Sequence, residues 1–109
     1  MKIRKFKSGA DRDIDDGKLD YEGFLSPLVL LEYAKYMHRH RVRKDGTRRE
    51  SDNWGKGIPQ KEYIKSLLRH TMDLWLHHRG FDKMAREDKV AALCGIMFNS
   101  MGYLHEELK

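Results

Sequence analysis

His70, Asp73 and His77 stand at positions i, i+3 and i+7, with Ser66 one turn earlier. On a helix these residues share one face, so an imidazole and a carboxylate lie side by side with a second imidazole above them. An i, i+3 His/Asp pair directs both side chains toward one point. Carboxylate-bearing helical bundles hold divalent cations in this way. The alternative reading is a buried, hydrogen-bonded His70 and a surface His77.

A second stripe of the same kind runs through Asp88, Ala92, Gly95, Asn99, Gly102 and Glu106, at spacings of three and four. Polar groups separated by small residues mark a face that something approaches closely. It is either another helix or a metal–phosphate site receiving oxygens from Asp88 and Asn99. Those two lie roughly 16 Å apart by helical rise, so they cannot share one ion. Between the two stripes and the N-terminus, Asn53-Trp54-Gly55-Lys56-Gly57 combines flexible backbone amides, an amide side chain, an indole and an ammonium. That set suits a phosphate with a base stacked on the ring, although it lacks the spacing of a P-loop. A plain connector with Trp54 in the core is the competing reading.

Two further groupings carry less. Asp11, Asp13, Asp15 and Glu22 fit positions 1, 3, 5 and 12 of a calcium loop, but position 6, which needs glycine, is Asp16. His38, His40, His77 and His78 lack the partners of a zinc site and read as surface histidines.

The elements that must position these residues follow from caps and periodicity. Ser26 followed by Pro27 opens a first helix, with Leu28, Leu31, Ala34 and Met37 on its apolar face, over residues 26–40. A basic hairpin follows over 41–49, turning at Asp45-Gly46. The second helix is predicted from Gln60 to His78, ended by Gly80, with Tyr63, Ile64, Leu67, Leu68, Leu74 and Trp75 apolar. The third begins near Ala85 and carries Val90, Leu93, Met97, Met101, Leu104 and Leu108 as its core stripe. Residues 1–23, with three glycines and several aspartates, form an arm of extended or irregular structure. The expectation is one all-α domain spanning 1–109: a small bundle of three main helices, an N-terminal arm over 1–23 and a basic hairpin insertion in the helical part, 24–109. The short segment around Gly80 makes the last two helices antiparallel, which brings Asp73 toward Asp88 as the pair expected to share a metal. Three amphipathic helices cannot bury every apolar face in a chain this small, so a homo-oligomer is expected.

Charge is unevenly placed. Of a net +5, residues 35–49 contribute seven Lys/Arg against Asp45 alone. Attraction for phosphate is therefore concentrated in mid-chain, unless the run is simply a solvated hairpin. The single cysteine, Cys94, forms no intramolecular disulfide, and no apolar run reaches the roughly 20 residues of a membrane span. The basic start, Met1 to Lys7, runs into aspartates instead of an apolar signal stretch. A cytoplasmic location is expected, with no membrane partner.

One resemblance organises these pieces. Gly17-Lys18-Leu19-Asp20, Ser26-Pro27 with Leu31-Glu32, Asn53-Trp54-Gly55-Lys56-Gly57-Ile58 and Arg69-His70 occur in order, followed by Ala92-Leu93-Cys94, Phe98-Asn99 and Tyr103-Leu104. Together they resemble the phage and bacterial dATP/dGTP diphosphohydrolase family, over residues 9–107. That family is similar in turn to the MazG-like all-α nucleoside triphosphate pyrophosphohydrolases. The resemblance implies metal-dependent hydrolysis of a purine (deoxy)nucleoside triphosphate to monophosphate and pyrophosphate, in a host cytoplasm if the chain is phage-encoded. On that reading Glu32, His70, Asp73 and Asp88 hold Mg²⁺ or Mn²⁺, and Asp73, His70 and Asp88 are catalytic. Lys18, Lys56 and Arg69 contact phosphate, and Asn53, Trp54 or Asn99 the base or sugar. The chain departs from the broader pattern: it has no Glu-Glu-x-x-Glu run and no Glu-x-x-Asp on the next helix, and His70-x-x-Asp73 and Glu87-Asp88 stand in their places. The alternatives are a protein that binds a nucleotide without cutting it, and a small basic nucleic-acid binder gripping phosphates through residues 39–49.

Overall fold

The structure, a computed structural model, describes residues 3–14 and 16–109; Met1, Lys2 and Asp15 lie outside them. Three long helices dominate it, as the periodicity predicts. Helix starts follow local chemistry. In the one-turn helix α1 (Tyr21–Phe24), Asp20 Oδ1 accepts from Gly23 N at 2.9 Å. In α2 (Pro27–Arg39), Ser26 Oγ accepts from Val29 N at 3.2 Å and Pro27 holds the first helical position, where its missing N–H costs nothing. Helix α3 (Gln60–His78) starts directly after Pro59, and Gly80, at φ +84°, reverses the chain beyond it.

The last helix, α4 (Lys89–Leu108), starts later than its periodicity suggests. Asp88 is its N-cap: the carboxylate accepts from Ala91 N at 2.8 Å, and the backbone at Asp88 is extended. Residues 82–84 form a separate 3₁₀ turn. The segment 79–88 is thus a structured link and not the first turns of a helix.

The arm is more regular than its glycines suggest. Strands β1 (Ile3–Lys5) and β2 (Asp11–Asp13) pair antiparallel, with Ile3 opposite Asp13, and Gly9 takes a positive φ of 93° at the turn. Asp11 and Asp13 therefore sit in a strand, not in a calcium loop. The basic hairpin forms as expected: Val42 bridges Arg48, and Asp45 Oδ1 accepts from both the N and the Oγ1 of Thr47. No helix among the described residues is long and apolar enough to cross a membrane.

Helices α3 and α4 form the centre. Gln60 donates to Glu107, the Tyr63 ring lies against Gly102, the His70 ring against Gly95, and His77 meets Glu87, so the two run antiparallel. The face of α4 that meets α3 is not the Leu/Met stripe expected to be its core. Ala92, Gly95, Asn99 and Gly102 are buried instead, together with Cys94, while Val90, Leu93, Met101, Leu104 and Leu108 are exposed. The reason is steric. A Cβ on Gly102 would stand 2.2 Å from the Tyr63 ring, and one on Gly95 would stand 2.6 Å from the His70 ring. Only a stripe without bulk lets two rings lie on the α4 backbone. Helix α2 packs more lightly on α4, burying Tyr36 and half-burying Tyr33.

Candidate functional site

The polar stripe of α3 faces inward and is completed by the 79–88 link. Asp73 is 2% exposed and fully engaged by one neighbour. Its Oδ1 accepts from Arg86 N at 3.0 Å, and its Oδ2 accepts from Arg86 Nε at 3.0 Å and Nη2 at 2.7 Å. The guanidinium hydrogen bonds outweigh the cost of burial and lower the Asp73 pKa to about 2. Asp73 is therefore ionised and tied to the link.

His77 closes the same link from the next turn. Its Nε2 donates to the Glu87 carbonyl at 2.5 Å and its Nδ1 to Asp82 Oδ1 at 2.6 Å. Both ring nitrogens face acceptors, so the doubly protonated imidazolium is favoured. The Glu87 carbonyl first, then Asp82, raise the His77 pKa. The same contact lowers the pKa of Asp82.

With its backbone held by His77, Glu87 turns its carboxylate onto His70, whose Nδ1 donates to Glu87 Oε1. His70, Asp73 and Glu87 each offer a ligand atom within 4.8 Å of the others. The cluster sets two carboxyl groups and an imidazole beside one guanidinium, a donor set that a cation could share. One nitrogen and two carboxylate oxygens could hold a divalent cation. Against that, the Asp73 oxygens already accept three hydrogen bonds, and a ligand role would compete with Arg86.

His70 also reaches a cleft of about 670 Å³, within the range of small-molecule sites. Asn53, Trp54, Asn99, Ser66, Arg41 and Arg49 share its wall, with Glu50, His38 and His40 also among the lining residues. The loop carrying Asn53 and Trp54 is pinned to the end of α4: Glu106 Oε1 accepts from Ile58 N at 3.1 Å, and Trp54 meets the His105 ring edge-on at 4.8 Å. Asn99 is buried, and its Nδ2 donates to Gly95 O at 2.7 Å. Arg41 Nε donates to Arg49 O and Arg49 Nη1 to His40 O, which fastens the hairpin to the end of α2. Neither guanidinium is paired with a carboxylate in the ion pairs of the described residues.

The residues singled out in the sequence thus divide into three groups. His70, Asn53, Trp54 and Asn99 meet at the cleft, and Asp73 lies with His70 in the adjoining cluster. Glu32 and Asp88 lie elsewhere, lining a shallower depression with Arg39, His77 and Asp82. Asp88 spends one oxygen on its own helix, and Glu87, one residue earlier, stands where Asp88 was expected beside Asp73. Lys18, Lys56 and Arg69 are exposed and outside the cleft wall. Spacing alone points to neither Arg86 nor Glu87, because both sit in a link whose path no periodicity fixes. A pair of long charged residues just before a helix-capping Asp is the one local hint.

No family model, curated protein or solved structure matches the chain.

Proposed function

We propose that the protein binds a nucleoside phosphate in the cleft and, with a divalent cation at the adjoining His70–Asp73–Glu87 cluster, hydrolyses its phosphate chain. One observation carries this reading: a cleft of nucleotide size brings an indole, two amides and two guanidiniums to the edge of a His/carboxylate cluster. Trp54 supplies a stacking surface for a base, and Asn53 and Asn99 supply amide groups for its polar edge. Arg41 and Arg49 supply planar forks suited to phosphate oxygens. His70 links the two parts, since its ring belongs to both the cleft and the cluster. The resemblance to the dATP/dGTP diphosphohydrolase family favours a purine deoxynucleoside triphosphate, cut to monophosphate and pyrophosphate. Bound at the cluster, Mg²⁺ or Mn²⁺ would neutralise the phosphate charge and activate water.

A second reading, binding without turnover, is favoured by the Arg86 contacts that already occupy Asp73. A panel of purine and pyrimidine (deoxy)nucleoside triphosphates, each with Mg²⁺ or Mn²⁺, separates the two when melting temperature and product are read from the same samples. Hydrolysis requires stabilisation and pyrophosphate release, both lost in His70→Gln and Glu87→Gln. Stabilisation without product selects the binder. No stabilisation by any nucleotide, with or without metal, refutes both.

A further inference from the structure

The apolar surface is in the wrong place for an isolated chain. A compact protein of 12.9 kDa exposes about 6,300 Å². This chain exposes 9117 Å², an excess of roughly 2,800 Å² over that compact reference. Its radius of gyration is 19.4 Å, against about 13 Å for a compact domain of this length. The projecting arm accounts for part of the excess. The large apolar side chains left uncovered, however, stand on all three long helices: Leu28 (76% exposed) and Leu31 on α2, Leu68 and Trp75 on α3, Leu93 and Leu104 on α4. Each pair is spaced to share one face of its helix: three, seven and eleven residues apart. The residues turned inward between α3 and α4 are instead mostly small or polar: glycine, alanine, asparagine, histidine and aspartate, with the Tyr63 ring as the large exception on α3.

We propose that a second copy of this chain covers these three helical faces, so that the folded unit is a homodimer or a larger assembly of the same chain. The area decides for a second copy. Obligate homodimers bury about 2,000–5,000 Å² in total, or roughly 1,000–2,500 Å² per partner, and an excess of roughly 2,800 Å², reduced by the arm's share, is of that order. The faces belong to helices of 13, 19 and 20 residues. A peptide or a single helix in a groove would cover one of them and leave the others wet. A two-fold axis brings each face against an equally long apolar face without requiring any other partner. The proposal is independent of the nucleotide reading, because the cleft and the cluster lie within one chain.

Sedimentation velocity on the purified full chain across a wide dilution series tests it. The expected mass at the concentrated end is twice 12.9 kDa or a higher multiple. Leu31→Glu, Leu68→Glu and Leu104→Glu should each raise the dissociation constant by more than about tenfold. In an isolated monomer these positions face water, and a glutamate there would cost little. Dissociation of the variants, or unfolding that is relieved at higher protein concentration, therefore supports the proposal. A wild-type chain that sediments at 12.9 kDa throughout while fully helical by circular dichroism overturns it. So do variants whose mass and melting temperature are both unchanged.

Discussion

Replacing Asp73 with asparagine tests whether its charge or only its shape holds the 79–88 link. Asparagine keeps the volume and one acceptor oxygen, so the bond from Arg86 N survives, while its NH₂ group at the other position cannot accept and the bonds from Nε and Nη2 are lost. The carboxyl pKa drops from an ordinary 3.8 to about 2 in the folded chain, a differential interaction of about 2 kcal/mol at neutral pH. Arg86 is 55% exposed, so solvent screens the pair and a net loss of about 1–2 kcal/mol is expected. For a domain of this length that is a fall in melting temperature of roughly 5–15 °C. The sign with pH is fixed. A carboxylate whose folded pKa is lowered adds stability above its unfolded pKa, and that stability fades as pH falls from about 4 toward 2. Melting curves of wild type and variant at one protein concentration should therefore differ at pH 7 and converge below pH 4. A deficit that stays constant down to pH 3 would mean that the variant damages packing and that the ion pair contributes nothing. An unchanged melting temperature at pH 7, with metal-dependent stabilisation lost, would make Asp73 a cation ligand and refute the structural role.

Three other outcomes follow from the same geometry. The raised pKa of His77 adds stability that is fully present below pH 6.5 and is lost as pH climbs from there through the folded value, so thermal stability should show this decline in wild type and not in His77→Gln. Gly102→Ala and Gly95→Ala should each cost about 2–3 kcal/mol by urea denaturation, because the Tyr63 and His70 rings must move. Gly95→Ala should also blunt any response to metal, whereas Gly102→Ala should not. Replacing Arg43, Lys44, Arg48 and Arg49 together with glutamine should slow nucleotide association at low salt and hardly at high salt, as read by stopped-flow tryptophan fluorescence.

Much of the scaffold is legible in the sequence. Ser26-Pro27, Pro59 and Gly80 mark helix boundaries because caps and breakers act within one turn. Asp45-Gly46 marks the hairpin for the same local reason. Asp88 misleads for a related reason: its carboxylate caps α4, yet the i, i+3 and i+4 spacing continues through it as though it were already helical. The larger misreading concerns which stripe of α4 turns inward. Periodicity groups Leu93, Met97, Leu104 and Leu108 on one face and Ala92, Gly95, Asn99 and Gly102 on another, but hydrophobicity favours the first as core. Within the chain the second wins, since ring-on-backbone contact between α3 and α4 needs absent side chains more than apolar ones. Of the site, His70 and Asp73 are visible from spacing. Arg86 and Glu87 are not, because their roles depend on the path of a ten-residue link through three dimensions.

That link also orders events in folding. The contacts that build the cluster join residues close along the chain: His77 to Asp82 spans 5 positions, His77 to Glu87 10, Asp73 to Arg86 13 and His70 to Glu87 17. Short loops cost little entropy to close and form quickly, whereas the cleft wall bearing Arg41 and Arg49 must arrive from a separate stretch of chain. These separations predict that the cluster forms early and that the wall attaches later. Because loops accept substitution more readily than packed elements, the hairpin wall is the part of the proposed site that can change with the least effect on the α3–α4 centre.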